Sequence, residues 1–169
     1  MNYTLDELKE RMDEHGNLDL SYTKITTLTD NLTVGGSLDL QGTNITALPD
    51  NLTVGGWLDI RCTRITALPD NLKVGGSLYL SHTHITALPD NLTVGGSLDL
   101  RDTYITALPE NLTVGGKLEL SHTPIFKIRN TLKYRKLKEA EYVPGKYLYV
   151  DEILTHIKRK KTVGKYTYY

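Results

Sequence analysis

Apolar residues recur along this chain with a spacing of twenty. Leu18, Leu38, Leu58, Leu78, Leu98 and Leu118 fall in one column. Leu20, Leu40, Ile60, Leu80, Leu100 and Leu120 fall in a second, and Ile25, Ile45, Ile65, Ile85, Ile105 and Ile125 in a third. A fixed period of this length marks a solenoid, because a unit too small to bury its own apolar side does so by stacking on copies of itself. Within each unit, Leu-x-Leu alternates with period two, which predicts a short strand with both leucines inward and the residue between them outward. The stretch LPDNLTVGGSLDL at residues 88–100, closely copied at 48–60, 68–80 and 108–120, supplies much of the remaining turn. Its Gly-Gly pair, from Gly35 and Gly36 to Gly115 and Gly116, predicts a sharp corner at positive φ. Pro49, Pro69, Pro89 and Pro109 stiffen an extended return leg. Twenty residues leave no room for a full helix, so one short strand per turn is expected.

Three residues after the second leucine stands an invariant polar column, Thr23, Thr43, Thr63, Thr83, Thr103 and Thr123. A short hydroxyl side chain there is suited to satisfying backbone groups left open by the bend. At the front, Thr4-Leu5-Asp6-Glu7 reads as a capping box that starts a helix, with Leu5, Leu8 and Met12 on one side and Gly16 as its stop. Such a helix is expected to close the first turn. The chain then divides into an N-terminal helical cap at 1–16, a solenoid at 17–128 and a basic, tyrosine-rich extension at 129–169, expected to cover the last turn.

The pattern LxLxxTxIxxLPxNL resembles the twenty-residue leucine-rich repeat of bacterial proteins, whose outline is LxLxxNxLxxLP. The resemblance implies a mainly β repeat solenoid, a right-handed coil of about six turns with one short parallel strand each. Threonine stands where that family has asparagine, so an asparagine ladder at the bend is not carried over. A parallel β-helix remains the alternative architecture. The repeats, with a tail of the form KYLYVDEILTHIKRKK, also resemble proteins of gut bacteria and their phages, which implies a role in modulating a host protein.

Charge separates the two parts of the chain. Residues 1–123 hold 8 basic and 16 acidic side chains, a balance of −8, whereas residues 124–169 hold 12 basic and 4 acidic, a balance of +8. No apolar run approaches the eighteen or so residues of a membrane span, and MNYTLDELKERMDEHG has alternating charge where a signal peptide is apolar. A cytoplasmic setting without membrane attachment is the expectation. One cysteine, Cys62, forms no internal disulfide and agrees with a reducing compartment. The NLT triplets at Asn31, Asn51, Asn91 and Asn111 recur because the repeat does.

Core and corner positions repeat because packing demands it, so function is sought where the copies differ. Three outward columns on the strand do differ. They are Asn17, Ser37, Trp57, Ser77, Ser97, Lys117; then Asp19, Asp39, Asp59, Tyr79, Asp99, Glu119; then Ser21, Gln41, Arg61, Ser81, Arg101, Ser121. In parallel register, neighbouring carboxylates about 4.8 Å apart repel by roughly 1 kcal/mol in water. Asp19, Asp39 and Asp59 are therefore expected to form a costly outward line, which a change such as Asp59→Lys would relieve; the alternative is a solvated face copied by duplication, its repulsion relieved by salt and by Arg61 and Arg101. Trp57, the only tryptophan, and Tyr79 stand amid these charges as residue types enriched at binding hot spots. Asp39, Trp57, Asp59, Arg61, Tyr79, Asp99, Arg101 and Glu119 are the expected partner-binding set, fitting a protein with a basic patch. The acidic face and the basic tail also suit pairing between copies.

A further column, Tyr22, Gly42, Cys62, His82, Asp102 and His122, has ligand types suited to zinc, but even steps near 5 Å make a poor tetrahedral site. No metal, other cofactor or catalytic residue is expected: the Gly-Gly pairs lack the Lys-Ser/Thr and the following helix of a phosphate loop. An alternative function rests on the tail, which holds seven of the eleven tyrosines and the run Lys158, Arg159, Lys160, Lys161. Basic and aromatic residues interleaved in this way suit nucleic acid binding by phosphate neutralisation and base stacking. The competing expectation is strands at about 147–150, 153–158 and 165–169 joined by a basic turn. The chain stops on YTYY within the last of these, as expected if it continues or borrows a partner strand.

Overall fold

The structure, a computed structural model, describes residues 3–125 and the two-residue strand Leu148–Tyr149. In chain order its elements are α1 (Leu5–Glu10), β1 (Leu18–Asp19), β2 (Thr33–Val34), β3 (Leu38–Asp39), β4 (Thr53–Val54), β5 (Leu58–Asp59) and β6 (Lys73–Val74). There follow β7 (Leu78–Tyr79), β8 (Thr93–Val94), β9 (Leu98–Asp99), β10 (Thr113–Val114), β11 (Lys117–Glu119) and β12 (Leu148–Tyr149). The chain is a mainly β parallel solenoid that makes five turns of twenty residues between β1 and β11. Two sheets run along it, parallel throughout except where β12 joins. A leucine sheet has the order β1-β3-β5-β7-β9-β11-β12, and a valine sheet the order β10-β8-β6-β4-β2.

The register follows the period: Leu18 pairs with Leu38, Leu38 with Leu58, Leu58 with Leu78, and so on to Leu118. One strand per turn was expected, and each complete turn has two. The second comes from the Thr-Val pair before the glycines, whose β-branched side chains suit a pleated surface and whose valine faces inward. Two residues are too few to show alternation by themselves, so this ladder is visible only once the turns are stacked.

Each turn sends six apolar side chains inward; in the second these are Leu38, Leu40, Ile45, Leu48, Leu52 and Val54, all buried. At about 1.5–3 kcal/mol for each buried large apolar side chain, stacking these columns is the main favourable term in the fold. The ends are closed differently. At the front, Thr4 and Glu7 form the expected capping box, with Thr4 N donating to Glu7 Oε2 at 2.7 Å and Glu7 N to Thr4 Oγ1 at 3.3 Å. Leu8 is buried, and Met12 and Tyr3 pack against the same core. Leu5, expected inward, is instead exposed, because a helix ending at Glu10 turns only one side to the core. At the back, β12 pairs antiparallel with β11, which places a tail strand where residues 147–150 predicted one. The strands expected at 153–158 and 165–169 lie outside the described residues.

The two corners use different chemistry. The Gly-Gly pairs were expected at positive φ, but among the described glycines only Gly16 and Gly42 have it. They are required for a different reason: backbone stacks directly on backbone there. Gly56 N donates to Gly36 O at 2.7 Å, and a Cβ on Gly76 would lie 2.7 Å from the carbonyl carbon of Gly56. Positive φ falls instead at Asn31 and Asn51, and in the bend column Tyr22, Gly42, Cys62, His82, Asp102 and His122. The bend itself is held as expected by the threonine column, whose Oγ1 donates to the carbonyl oxygen three residues back at 2.6–2.8 Å in all six copies. Asparagine side chains pair elsewhere in the turn, ahead of the valine sheet: Asn51 Nδ2 donates to Asn31 Oδ1 at 3.1 Å and Asn111 Nδ2 to Asn91 Oδ1 at 3.4 Å.

Candidate functional site

The leucine sheet carries its variable residues outward, and it brings the expected set together on one face. They do not play one role. In the aspartate column, the carboxylate accepts a hydrogen bond from the backbone N–H two residues on: Ser21 N to Asp19, Gln41 N to Asp39, Arg61 N to Asp59 and Arg101 N to Asp99, at 2.9–3.0 Å. An Asp side chain closing a local turn in this way is a structural device that recurs with the bend. Glu119 reaches the same region differently, accepting from Ser121 Oγ at 2.6 Å.

Burial corrects the picture of an exposed line of repelling charges. Asp59 is 3% exposed and Asp99 7%. Each is neutralised by the arginine two positions along, which strand alternation places on the same side. Arg61 Nε lies 3.0 and 2.8 Å from the two oxygens of Asp59, with its Nη2 at 2.5 Å. Arg101 donates Nε to Asp99 Oδ1 at 2.9 Å and Nη2 to Oδ2 at 2.8 Å. The hydrogen bonds that Arg61 donates to Asp59 hold its guanidinium more firmly protonated than usual, against the opposing effect of its partial burial. Asp59 is therefore part of the fold, and the expectation that Asp59→Lys would relieve strain is reversed. Asp-x-Arg at 59–61 and 99–101 was the sequence signal for this pairing.

Asp19 and Asp39 are the carboxylates without an arginine, since Ser21 and Gln41 stand in its place. No lysine or arginine lies within ion-pair distance of either among the described residues. Asp39 is half-buried, and that burial raises its pKa above the ordinary carboxylate value; the neighbouring Asp59 and Asp19 charges add to the rise, against the Gln41 N–H and Arg61.

Beside this acidic end stands an aromatic cluster. Trp57 is 40% exposed and meets the edge of Tyr79 with ring centroids 6.5 Å apart and planes at 65°. The Arg61 guanidinium lies 5.6 Å from the centre of the Tyr79 ring, within cation–π range. Trp57 N accepts support from the turn below by donating to Ser37 Oγ at 3.2 Å. The four residues Trp57, Asp59, Arg61 and Tyr79 thus form one contiguous, ordered patch. Arg101, Asp99 and Glu119 lie two and three turns further along the face.

The bend column gives no converging site. His82 Nε2 lies 3.8 Å from Asp102 Oδ2, Cys62 and His82 are exposed, and among the described residues no three His, Cys, Asp or Glu side chains are grouped to hold a metal ion. Sequence reasoning missed a second aromatic contact, His84 stacked on Tyr104 with centroids 5.8 Å apart, because these residues straddle two turns. Lys158, Arg159, Lys160 and Lys161 lie outside the described residues. Among those described, no helix is long and apolar enough to cross a membrane. Compared with protein-family models and with curated proteins, the chain matches none.

Proposed function

We propose that this protein is a non-catalytic binding scaffold of the leucine-rich-repeat kind, which presents the outward face of its leucine sheet to a protein partner. The observation that carries this reading is the Trp57–Tyr79 patch. In a chain that rewrites one turn several times, a half-exposed tryptophan replaces the serine of Ser37, Ser77 and Ser97, and it is held in a defined orientation by Tyr79. Packing does not call for it, since Leu58 and Ile60 beneath are buried as in every other turn. Large aromatics flanked by arginine are the residues that dominate interface energies. The host-modulating role implied by the resemblance belongs to the same reading, the partner then being a protein of the host cell.

The test is affinity capture from the source cell with the parent chain and with Trp57→Ala. Truncation is expected to weaken the captured interaction by about 2 kcal/mol or more, chiefly through faster dissociation, with the melting temperature little changed. Undiminished capture by the folded variant would reject the reading.

A further inference from the structure

We infer that the acidic end of this face is a receptor for an arginine side chain on an extended segment of the partner, seated on Asp39 and flanked by Trp57. This deepens the reading just given and rests on it. The argument begins from a pattern internal to the molecule. Turns three and five show what a carboxylate of this column does when a guanidinium is in reach: Asp59 and Asp99 each take a forked arginine, and both are buried by it. In turn two the carboxylate is present, half-buried and oriented by the Gln41 N–H, but the arginine position is occupied by Gln41. The carboxylate holds the same place in its turn, and among the described residues no lysine or arginine is within ion-pair distance of it.

Three features say what would pair with Asp39. Charge complementarity requires a cation, since Asp19 adds a second unpaired carboxylate on the adjacent strand, in register with Asp39. The forked pairing seen twice on this face favours guanidinium over ammonium, because a planar fork meets both carboxylate oxygens and a point charge does not. Trp57 is the diagonal neighbour of Asp39 across β3 and β5, a separation that aromatic and long side chains span, so its exposed ring can cover the aliphatic stem or the guanidinium plane. Burial and neighbouring charge make an unpaired Asp39 unfavourable, so the same forces favour its pairing.

Trp57 is the only tryptophan, so its emission reports on this site in the full chain. The probe is a tetra-arginine peptide at low ionic strength, with tetra-lysine as comparison. A saturable change in Trp57 emission is expected, with tetra-lysine binding several-fold more weakly. Asp39→Asn keeps the acceptor for Gln41 N–H and should weaken binding about tenfold. Asp90→Asn, the same change in net charge at an exposed corner, should alter it less than twofold. The sharpest variant is Gln41→Arg, which supplies the missing guanidinium from within the chain and should abolish binding while raising the melting temperature. No saturable change, equal effects of Asp39→Asn and Asp90→Asn, tetra-lysine binding as tightly, or unaltered binding by Gln41→Arg would each overturn the inference. Partner capture that is lost with Trp57→Ala but unaffected by Gln41→Arg would reject the arginine receptor and leave the scaffold reading standing. Insensitivity to both removes the two together.

Discussion

The leucine sheet and the valine sheet are built from the same turns, buried against the same core and paired in the same parallel register, yet their outward faces differ. The valine sheet shows Thr33, Thr53, Lys73, Thr93 and Thr113, one residue type with a single exception. The leucine sheet shows Asp, Tyr and Glu in one column, and Trp, Lys, Ser and Asn in the one before it. Stacking constrains inward positions equally on both sheets, and on the leucine sheet the aspartate and serine columns also carry local hydrogen bonds. Of the two sheet faces the leucine face varies far more, and its half-exposed Trp57 is a change that the core beneath does not require. The proposed binding surface is placed on the leucine sheet for that reason.

The corners make a second contrast. Between the valine and leucine sheets, backbone lies on backbone and only glycine fits. After the leucine sheet, the chain turns through a left-handed residue whose side chain points to solvent, so Tyr22, Cys62, His82, Asp102 and His122 are all accepted at a local cost. One corner is closed by backbone sterics, the other by a left-handed residue and the threonine hydroxyl that follows it.

The contrast between the faces is broken most severely at Asp59. Asp59→Lys removes a buried carboxylate and sets an ammonium against Arg61, so it should cost about 3–5 kcal/mol, read by urea denaturation. Lys73→Thr, its counterpart on the valine sheet, should stay within about 0.5 kcal/mol. A tolerated Asp59→Lys would mean that the Asp–Arg pairs are surface decoration.

The glycine corner comes next. A Cβ on Gly75 would collide with the backbone oxygen of Gly55, whereas one on Gly35 meets nothing within 4 Å, because the preceding turn lacks the pair. Gly75→Ala should lose about 2–3 kcal/mol. Gly35→Ala should be neutral or gain up to about 1 kcal/mol through the unfolded chain. Equal losses at both would refute the stacking explanation.

At the left-handed bend the sign reverses. Cys62→Gly should stabilise by about 1 kcal/mol, since φ +56 is strained for a residue with a Cβ and the Cys62 side chain is exposed. A rise in melting temperature checks it.

The smallest effect is a pH dependence at Asp39. Its folded pKa is raised, so the folded state holds the proton more tightly than the unfolded one. Stability from this group is present at low pH and is lost as pH rises through the folded value. Asp39→Asn removes that loss. The variant should therefore be more stable than the parent at pH 7 and indistinguishable from it near pH 3, below the ordinary aspartate value of about 3.9. A stability difference that does not change with pH would show that the carboxylate is not the cause.

The sequence by itself determined the solenoid, its period, its register, the leucine, isoleucine and threonine columns and the capping box of α1. Each follows from a repeat long enough to be read against itself, or from a local hydrogen-bonding pattern that needs no neighbour. The tertiary structure alone decided the rest, because the deciding neighbour is twenty residues away. Stacking turned a two-residue Thr-Val pair into a second sheet and changed the reason for the Gly-Gly pairs from φ to close backbone approach. It also sorted one column of carboxylates into two kinds. Asp59 and Asp99 are buried on the outward face where an arginine stands two residues on; Asp39, with the same local sequence position, is left half-buried without one. Burial and solvation of a charge depend on what the adjacent turns place around it, and that is a property of the stack.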